Sequence, residues 1–339
     1  MSIKPLLKRS AQIAAAGLGR HRWPSRGGDL LVVTYHRILP PEDPRYAEEQ
    51  PGMVVHPNTF RMHLQVLKEF FEPVSLTDWL DRAASGRPLP RRACALTLDD
   101  GWRDNYEYAY PQLRDEQFPA TIFLVSDYID TYRTYWPERL ARLVHALAAR
   151  DLAPADASPE LSWLEEIGVT RSRLPALTDR EQLDSVIVAA KRYSDAELND
   201  RLDAAFAALA LQEERRDILR WDDVREMHAS GLVDFGSHTR AHIRLRPGLD
   251  SDQALEQIRG SREAIEARLE APAKLFCYPN GDMSEEAERF VRKHYDGACT
   301  TQAGWNRAPS DPYRLKRIGL HQDMSADSTA LLARVSGLL

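Results

Sequence analysis

The sequence contains no apolar run long enough to cross a membrane: nothing approaches the ~20 continuous apolar residues that a helical span needs. It has no excess of positive charge either, with 45 Lys and Arg against 51 Asp and Glu and a net charge of −6. That argues against nucleic acid as a main partner, because phosphate recognition needs a basic surface. Cysteine is scarce. Cys94, Cys277 and Cys299 are the only three, far apart and in no metal-like spacing, which suits reduced thiols packed as small hydrophobes in a cytosolic compartment better than a disulfide framework. Internal repeats and low-complexity tracts are also absent. What remains, 43% hydrophobic and 28% charged residues in 339, is material for one large domain or two small ones.

Acidic residues are missing altogether from the first 28 positions, which hold Lys4, Lys8, Arg9, Arg20, Arg22 and Arg26. Ile3, Leu6, Leu7, Ile13, Ala14 and Leu18 recur there at helical spacing, predicting a basic amphipathic arm over 1–28. Such an arm suits peripheral contact of residues 1–26 with an anionic membrane surface, or packing against the rest of the protein. Its apolar part, AQIAAAGLG, is weak as a signal peptide, and basic residues continue past it. The expected location is therefore cytoplasmic, peripheral to the inner face of the cell membrane.

Beyond the arm, short β-branched or apolar runs alternate with helical patterns, the arrangement of a parallel sheet wrapped in helices. The predicted strands are LLVVTYH from Leu30, ACALTL, ATIFLV at 120–125, LVDFGS at 232–237, KLFCY at 274–278, GACTT and RLKRIGL. Phe60, Leu64, Leu67 and Phe71 mark a helix after Pro57 and Asn58 that Pro73 stops. Between Asp130 and Trp221 the alternation ceases. Apolar stripes at Trp136, Leu140, Leu143, Val144 and Leu147, at Leu183, Val186, Ile187 and Ala190, and at Leu198, Leu202, Phe206 and Leu209 predict an all-helical insertion with its own core. The resulting organisation is an arm 1–28, a body in two pieces at 29–130 and 220–325, an insertion 131–219 and a C-terminal helix 326–339.

ALTLDDGWRDN, residues 95–105, ends an apolar run with two adjacent carboxylates, and FGSHTRAHIRL sets two histidines four apart just past another strand. Both stretches fall at carboxyl ends of predicted strands, the rim on which α/β folds assemble sites. Side by side, Asp99 and Asp100 repel. A divalent cation resolves this by keeping Asp100 ionised and leaving Asp99 to take a proton from water. His238 and His242 with Asp100 make three protein ligands and leave coordination positions open, as in catalytic metal centres. Gly101 lets the chain turn sharply enough for both carboxylates to reach one site. A histidine pair alone is more often surface decoration and an aspartate pair an N-cap, so the joint placement carries the reading.

In order, LTLDDG, SHTRAH and FCYPNG resemble the first three motifs of the polysaccharide deacetylases, the NodB-like carbohydrate esterases. In that family the motifs read Thr-Phe-Asp-Asp-Gly, His-Ser/Thr-x-x-His, and an aromatic-proline-glycine turn. The resemblance spans residues 30–130 and 220–321 and implies an α/β fold, a distorted (β/α) barrel of the NodB-homology type interrupted by the insertion. It also implies a zinc or similar divalent ion, an N-acylated carbohydrate substrate, and removal of N-acetyl groups from amino sugars of a polysaccharide or glycolipid. Position by position, Asp99 would be the general base and Asp100, His238 and His242 the metal ligands. The turn after Pro279 would offer the backbone N–H of Asn280 to the oxyanion.

The sequence departs from the family in three places. Leu98 replaces phenylalanine, a core exchange. Cys277 stands where many members carry an arginine that steers the base aspartate. The late Leu-x-x-His motif is not clear, leaving His36 in VTYHRI and His321 in RIGLHQD as candidates for the acid that protonates the leaving amine. Each is equally readable as a structural histidine. Trp102, Arg103 and Tyr278 would border the sugar, Trp102 being equally readable as packed against the insertion, with Trp305, Asn306 and Arg317 as weaker candidates. The insertion, set between the two motif-bearing strands, would border the cleft or make an oligomer contact. Two further readings stand beside this one. The same chemistry could remove a formyl or acetyl group from a lipid-linked sugar during surface-polysaccharide assembly. Alternatively, the protein binds carbohydrate without catalysis, although a binder has no need of the base.

Overall fold

The computed structural model describes residues 4–25, 27–212 and 215–338. Ile3 and Arg26 of the expected arm lie outside the described residues, as do the side chains of Lys4 and Leu6. Two compact units are present, one built from 1–38, 55–131 and 218–339, the other from 39–54 and 132–217.

The first unit carries a nine-stranded sheet. In chain order the strands of the protein are β1 (Asp29–Tyr35), β2 (Arg37–Ile38), β3 (Val54–Val55), β4 (Glu72–Pro73), β5 (Arg92–Leu98), β6 (Ala120–Leu124), β7 (Val233–Ser237), β8 (Leu275–Cys277), β9 (Gly297–Cys299), β10 (Asn306–Arg307) and β11 (Ile318–Gly319). The central path runs β1-β5-β6-β7-β8-β9 with every neighbour parallel. Every residue of β1 is buried, and all of β5 after Arg92. Strands covered on both faces read as unbroken apolar runs, which is why they stand out in the sequence. Past β9 the chain bends back: Leu315 bonds to Ala298 and Thr300 beside β9, and β11 pairs with β1 through Val33–Ile318 and Thr34–Gly319. Segment 312–320 therefore links the two ends of the parallel path and curls it into an irregular half-barrel.

Parallel register places the functional turns. Tyr35 lies beside Leu98, Leu98 beside Ile122, and Leu124 beside Ser237. The residues that follow β1, β5 and β7 thus emerge on one rim. On the flank, helix Pro57–Phe70 begins with proline in its first turn and buries Phe60, His63, Leu64 and Leu67. Helix Leu76–Ser85 is capped by Ser75 and ends at Gly86, whose φ of 68° suits glycine.

The second unit is helical, with Trp136–Ala149, Arg180–Ala190 and Asp195–Ala208 as its longest members. Leu140, Leu143, Val144, Leu183, Val186, Leu198, Leu202 and Phe206 form its core. Sequence pattern alone places residues 39–54 with the body, whereas their polar contacts are with the helices. Glu48 pairs with Arg142 at 2.9 Å and with Arg215, and Arg180 donates to the carbonyls of Glu49 and Gln50. The C-terminal helix covers Ser328–Arg334, shorter than the expected 326–339. No helix of the described residues is long and apolar enough to cross a membrane.

Candidate active site

Asp99 and Asp100 follow β5 directly, and the turn that carries them is built from unusual backbone. Asp100 adopts φ 77° and Gly101 φ 73°, and a Cβ on Gly101 would meet Leu124 Cδ2 at 3.0 Å and Ile129 Cδ1 at 3.1 Å. Position 101 therefore needs glycine for both conformation and space. Asp100 and His242 (φ 56°) are non-glycine residues in the left-handed region, a cost often found at functional sites. Backbone bonds from Asp99 N to Tyr35 O and from Leu219 N to Gly101 O pin the turn. Across the rim, His238 N bonds to Leu124 O, and Gln257 Oε1 accepts from Arg240 N and Ala241 N, shaping the loop between the two histidines.

These turns bring the expected ligands together. His238 Nε2 and His242 Nε2 lie 3.6 and 3.5 Å from Asp100 Oδ1, and all three donor atoms fall within 4.8 Å of one another. His238 Nδ1–H donates to Cys277 O at 2.7 Å, which turns its Nε2 toward Asp100. Burial pushes the His238 pKa down to about 4, so the ring is neutral near pH 7 and has a lone pair to offer. Two imidazoles and one carboxylate suit a divalent cation such as zinc. Asp99, His238 and Cys277 also cluster. That second set is a poor cation site, because the Arg317 guanidinium occupies its edge 3.0 Å from Cys277 Sγ. Burial also raises the Cys277 thiol well above its ordinary pKa.

Arg317 is the residue whose role the sequence concealed. Only 3% exposed, it donates from Nη1 and Nη2 to Asp99 Oδ1 and Oδ2 at 2.7 and 2.8 Å, a bidentate pair. Its other contacts are Thr300 O, Thr34 Oγ1 and Thr97 Oγ1. Burial would raise the Asp99 pKa, but Arg317, helped by His238 and His36, overrides it and holds the carboxyl well below the usual range. Where the family resemblance led one to expect an arginine at the position of Cys277, a guanidinium reaches Asp99 from the segment linking β9 to β1. It holds the Asp99 carboxylate and, being buried, does not face a sugar.

Other expected residues take structural places. Trp102 is 1% exposed and its indole N–H donates to Asp100 Oδ2 at 3.0 Å, so it orients that carboxylate and does not face a sugar. Arg37 stacks on that ring at 4.0 Å and bonds to Asp104, which also accepts from Ile38 N, while Asn105 donates to His36 O. Asp104 and Asn105 were legible only as polar residues following LDDG; fully buried, they tie the β1 turn to the β5 turn. Arg103 is half-buried and pairs with Glu107 at 2.8 Å. Tyr278 is fully buried against Phe276 in an apolar cluster with Val291 and Tyr295, which removes it from the sugar. Trp305 bonds to Val335 O, and Asn306 exchanges two bonds with the Lys316 backbone beside Arg317; both are buried braces. Asn280 is exposed after β8 with φ 55°. His36 Nε2 stands 3.9 Å from Asp99 Oδ2 and its side chain is one-third exposed. His321 Nδ1 lies 3.6 Å from Asp323, and burial lowers its pKa.

Fold and rim together define the class: a parallel α/β half-barrel whose strand ends can hold a divalent cation beside a separately held carboxylate. A family model described as "Polysaccharide deacetylase" matches residues 86–150 and 173–295, more than half of the chain. The protein belongs to the polysaccharide deacetylase family. A 115-residue stretch is 31% identical to the poly-beta-1,6-N-acetyl-D-glucosamine N-deacetylase of Escherichia coli K12, covering 34% of this chain and 16% of that protein. The chain thus matches only about a sixth of the length of that relative. Among solved structures, the Streptococcus pyogenes deacetylase PplD in complex with acetate is 16% identical with a TM-score of 0.58, covering 91% of this chain and 99% of that one. IcaB from Ammonifex degensii is 19% identical with the same TM-score, covering 91% and 98%.

Proposed function

We propose that this protein is a metal-dependent N-deacetylase of an N-acetylated amino sugar, in a surface polysaccharide of the poly-N-acetylglucosamine type. The observation that carries this reading is a division of labour between neighbours. Asp100 Oδ1 faces two imidazoles at 3.6 and 3.5 Å, while both oxygens of Asp99 are gripped by Arg317, with His238 still within 4.8 Å of it. A divalent cation held by Asp100, His238 and His242 would supply Lewis-acid polarisation of the amide carbonyl and of the attacking water.

The chain's own groups supply the rest. Asp99 uses one lone pair on each oxygen to accept from Arg317, which leaves the others for a proton from water. His36, on the open side of Asp99, is the candidate donor to the leaving amine; His321 is the alternative. The backbone at Asn280, at the turn after β8, is the candidate donor to the oxyanion.

The test is metal content of the purified protein and acetate release from N-acetylglucosamine oligomers, for wild type, Asp99→Asn and Asp100→Ala. Asp99→Asn is expected to keep its metal and lose ~10²-fold or more in turnover, and Asp100→Ala to lose the metal. A fully active Asp99→Asn would remove the proposed base. Formate released in place of acetate from N-formyl sugars would redirect the reading to a deformylase.

A further inference from the structure

Helix Lys4–Leu18 is docked the wrong way round for an ordinary amphipathic helix. Such a helix buries its large apolar side chains. This one buries Ala15 and Ala16, packs beside helix Ser328–Arg334, and fastens itself with an ion pair from Arg9 to Asp327 at 2.9 Å. Leu7, Ile13 and Leu18 stand 64%, 57% and 63% exposed, and Ala11 and Ala14 are exposed with them. At ~100° per residue, Leu7, Ala11, Ala14 and Leu18 form one strip, with Ala16 opposite it and Ala15 at its border, and Ile13 is exposed on a separate flank of the helix. Trp23, just past the helix, is 61% exposed. Seven large hydrophobic side chains are strongly exposed among the described residues, and four of them lie between positions 7 and 23.

The helix itself carries charge of one sign, and the neighbouring Asp327 is paired with Arg9. No acidic residue occurs before Asp29. Lys8 and Arg22 are exposed beside the strip. Asp29 is shared by two guanidiniums, Arg20 at 2.7 Å and Arg307 at 3.4 Å, which leaves a net positive charge there. These three residues, with Trp23 and Leu338, line a hollow of about 390 Å³ next to the helix. A second copy of the chain meeting this face two-fold would set the cations against their own counterparts. An anionic lipid surface satisfies strip and charge together: apolar side chains enter the acyl boundary, the indole sits at headgroup level, and Lys and Arg meet phosphate.

We infer that the outward face of helix Lys4–Leu18, with Trp23 and the adjoining Lys8, Arg20, Arg22 and Arg307, seats the protein on an anionic membrane surface. This contact is peripheral and independent of the proposed catalytic reading, since none of these residues touches the rim.

The experiment is flotation of the full chain with vesicles of phosphatidylcholine alone and of phosphatidylcholine with phosphatidylglycerol, at low and high salt. Wild type is expected to float with the anionic vesicles at least ~10-fold better than with neutral ones, the difference shrinking with salt. Leu7→Glu/Leu18→Glu is expected to lose that binding while keeping its melting temperature and sugar activity, because both side chains already face solvent. Trp23→Ser is expected to weaken it. Absence of wild-type binding, or equal binding by the double variant, overturns the inference. A lipid-independent dimer that Leu7→Glu/Leu18→Glu abolishes, without vesicle binding by wild type, overturns it in favour of a contact between copies.

Discussion

Replacing Arg317 by methionine tests the electrostatic arrangement most directly. Both partners of the pair are buried, Arg317 at 3% and Asp99 at 2% exposure, and they share two charge-assisted bonds of 2.7 and 2.8 Å. Removing one member of a buried pair strands the other charge, at a cost of about 3–5 kcal/mol. The chain can meet that cost by losing stability or by protonating Asp99. The sign follows from what surrounds the carboxyl. In wild type Arg317, with His238 and His36, overcomes a burial that favours the neutral acid. Without the guanidinium, burial dominates and the Asp99 pKa rises. A protonated Asp99 cannot take the proton from water, so activity at pH 7 should fall by ~10²-fold, the scale of a lost general base. The acidic limb of the pH–rate profile should also move to higher pH. Acetate release measured across pH 5–9, with thermal melts alongside, separates the two routes. Arg317→Met/Cys277→Arg supplies a rescue: Cys277 Sγ lies 3.8 Å from Asp99 Oδ2, and a longer side chain there enters the volume that Arg317 leaves. Partial recovery is expected. An Arg317→Met enzyme with wild-type kcat/KM and an unmoved acidic limb would refute the reasoning.

Trp102→Phe keeps a ring beneath Arg37 but deletes the N–H that orients Asp100; metal affinity, read by chelator competition, should fall ~10–100-fold, and an unchanged affinity would show that the bond does nothing. His63 is buried between Tyr35 Oη and Ser325 O, and burial lowers its pKa from 6.5 to about 4. A depressed histidine favours the folded state fully above pH 6.5, and that contribution is lost as pH falls through 6.5 toward 4. It amounts to about 3 kcal/mol. Urea melts at pH 7 and pH 4.5 should show that loss in wild type and a much smaller pH dependence in His63→Gln; equal dependence in both would assign acid sensitivity elsewhere. His36→Gln should lower turnover more than KM if it serves the leaving amine, while the same pattern in His321→Gln alone would reassign that role.

The legible parts of the site were those written within a few residues. Asp99 with Asp100, and His238 with His242, each follow an apolar run that can only be a buried strand, and parallel register then brings strand ends to one rim. Trp102 was visible as a residue and misread as a sugar platform, because nothing in the string LDDGWRDN says whether an indole points into solvent or back at its neighbour. Residues 39–54 show the same limit, since the ion pairs that bind Glu48 to Arg142 and Arg215 are made over separations of 94 and 167 positions.

Local chemistry, then, was the sequence's own doing: strand periodicity, the glycine that permits the turn, the three candidate ligands and the adjacent carboxylate. Tertiary structure alone decided what holds Asp99. Arg317 is 218 residues from Asp99 and sits in an irregular closing segment with no pattern to mark it. The same holds for the helix Lys4–Leu18, whose sequence declares an apolar face but not which way it turns. A carboxylate's partner and a helix's orientation depend on which distant surfaces meet, and contacts between distant segments leave no periodic trace along the chain.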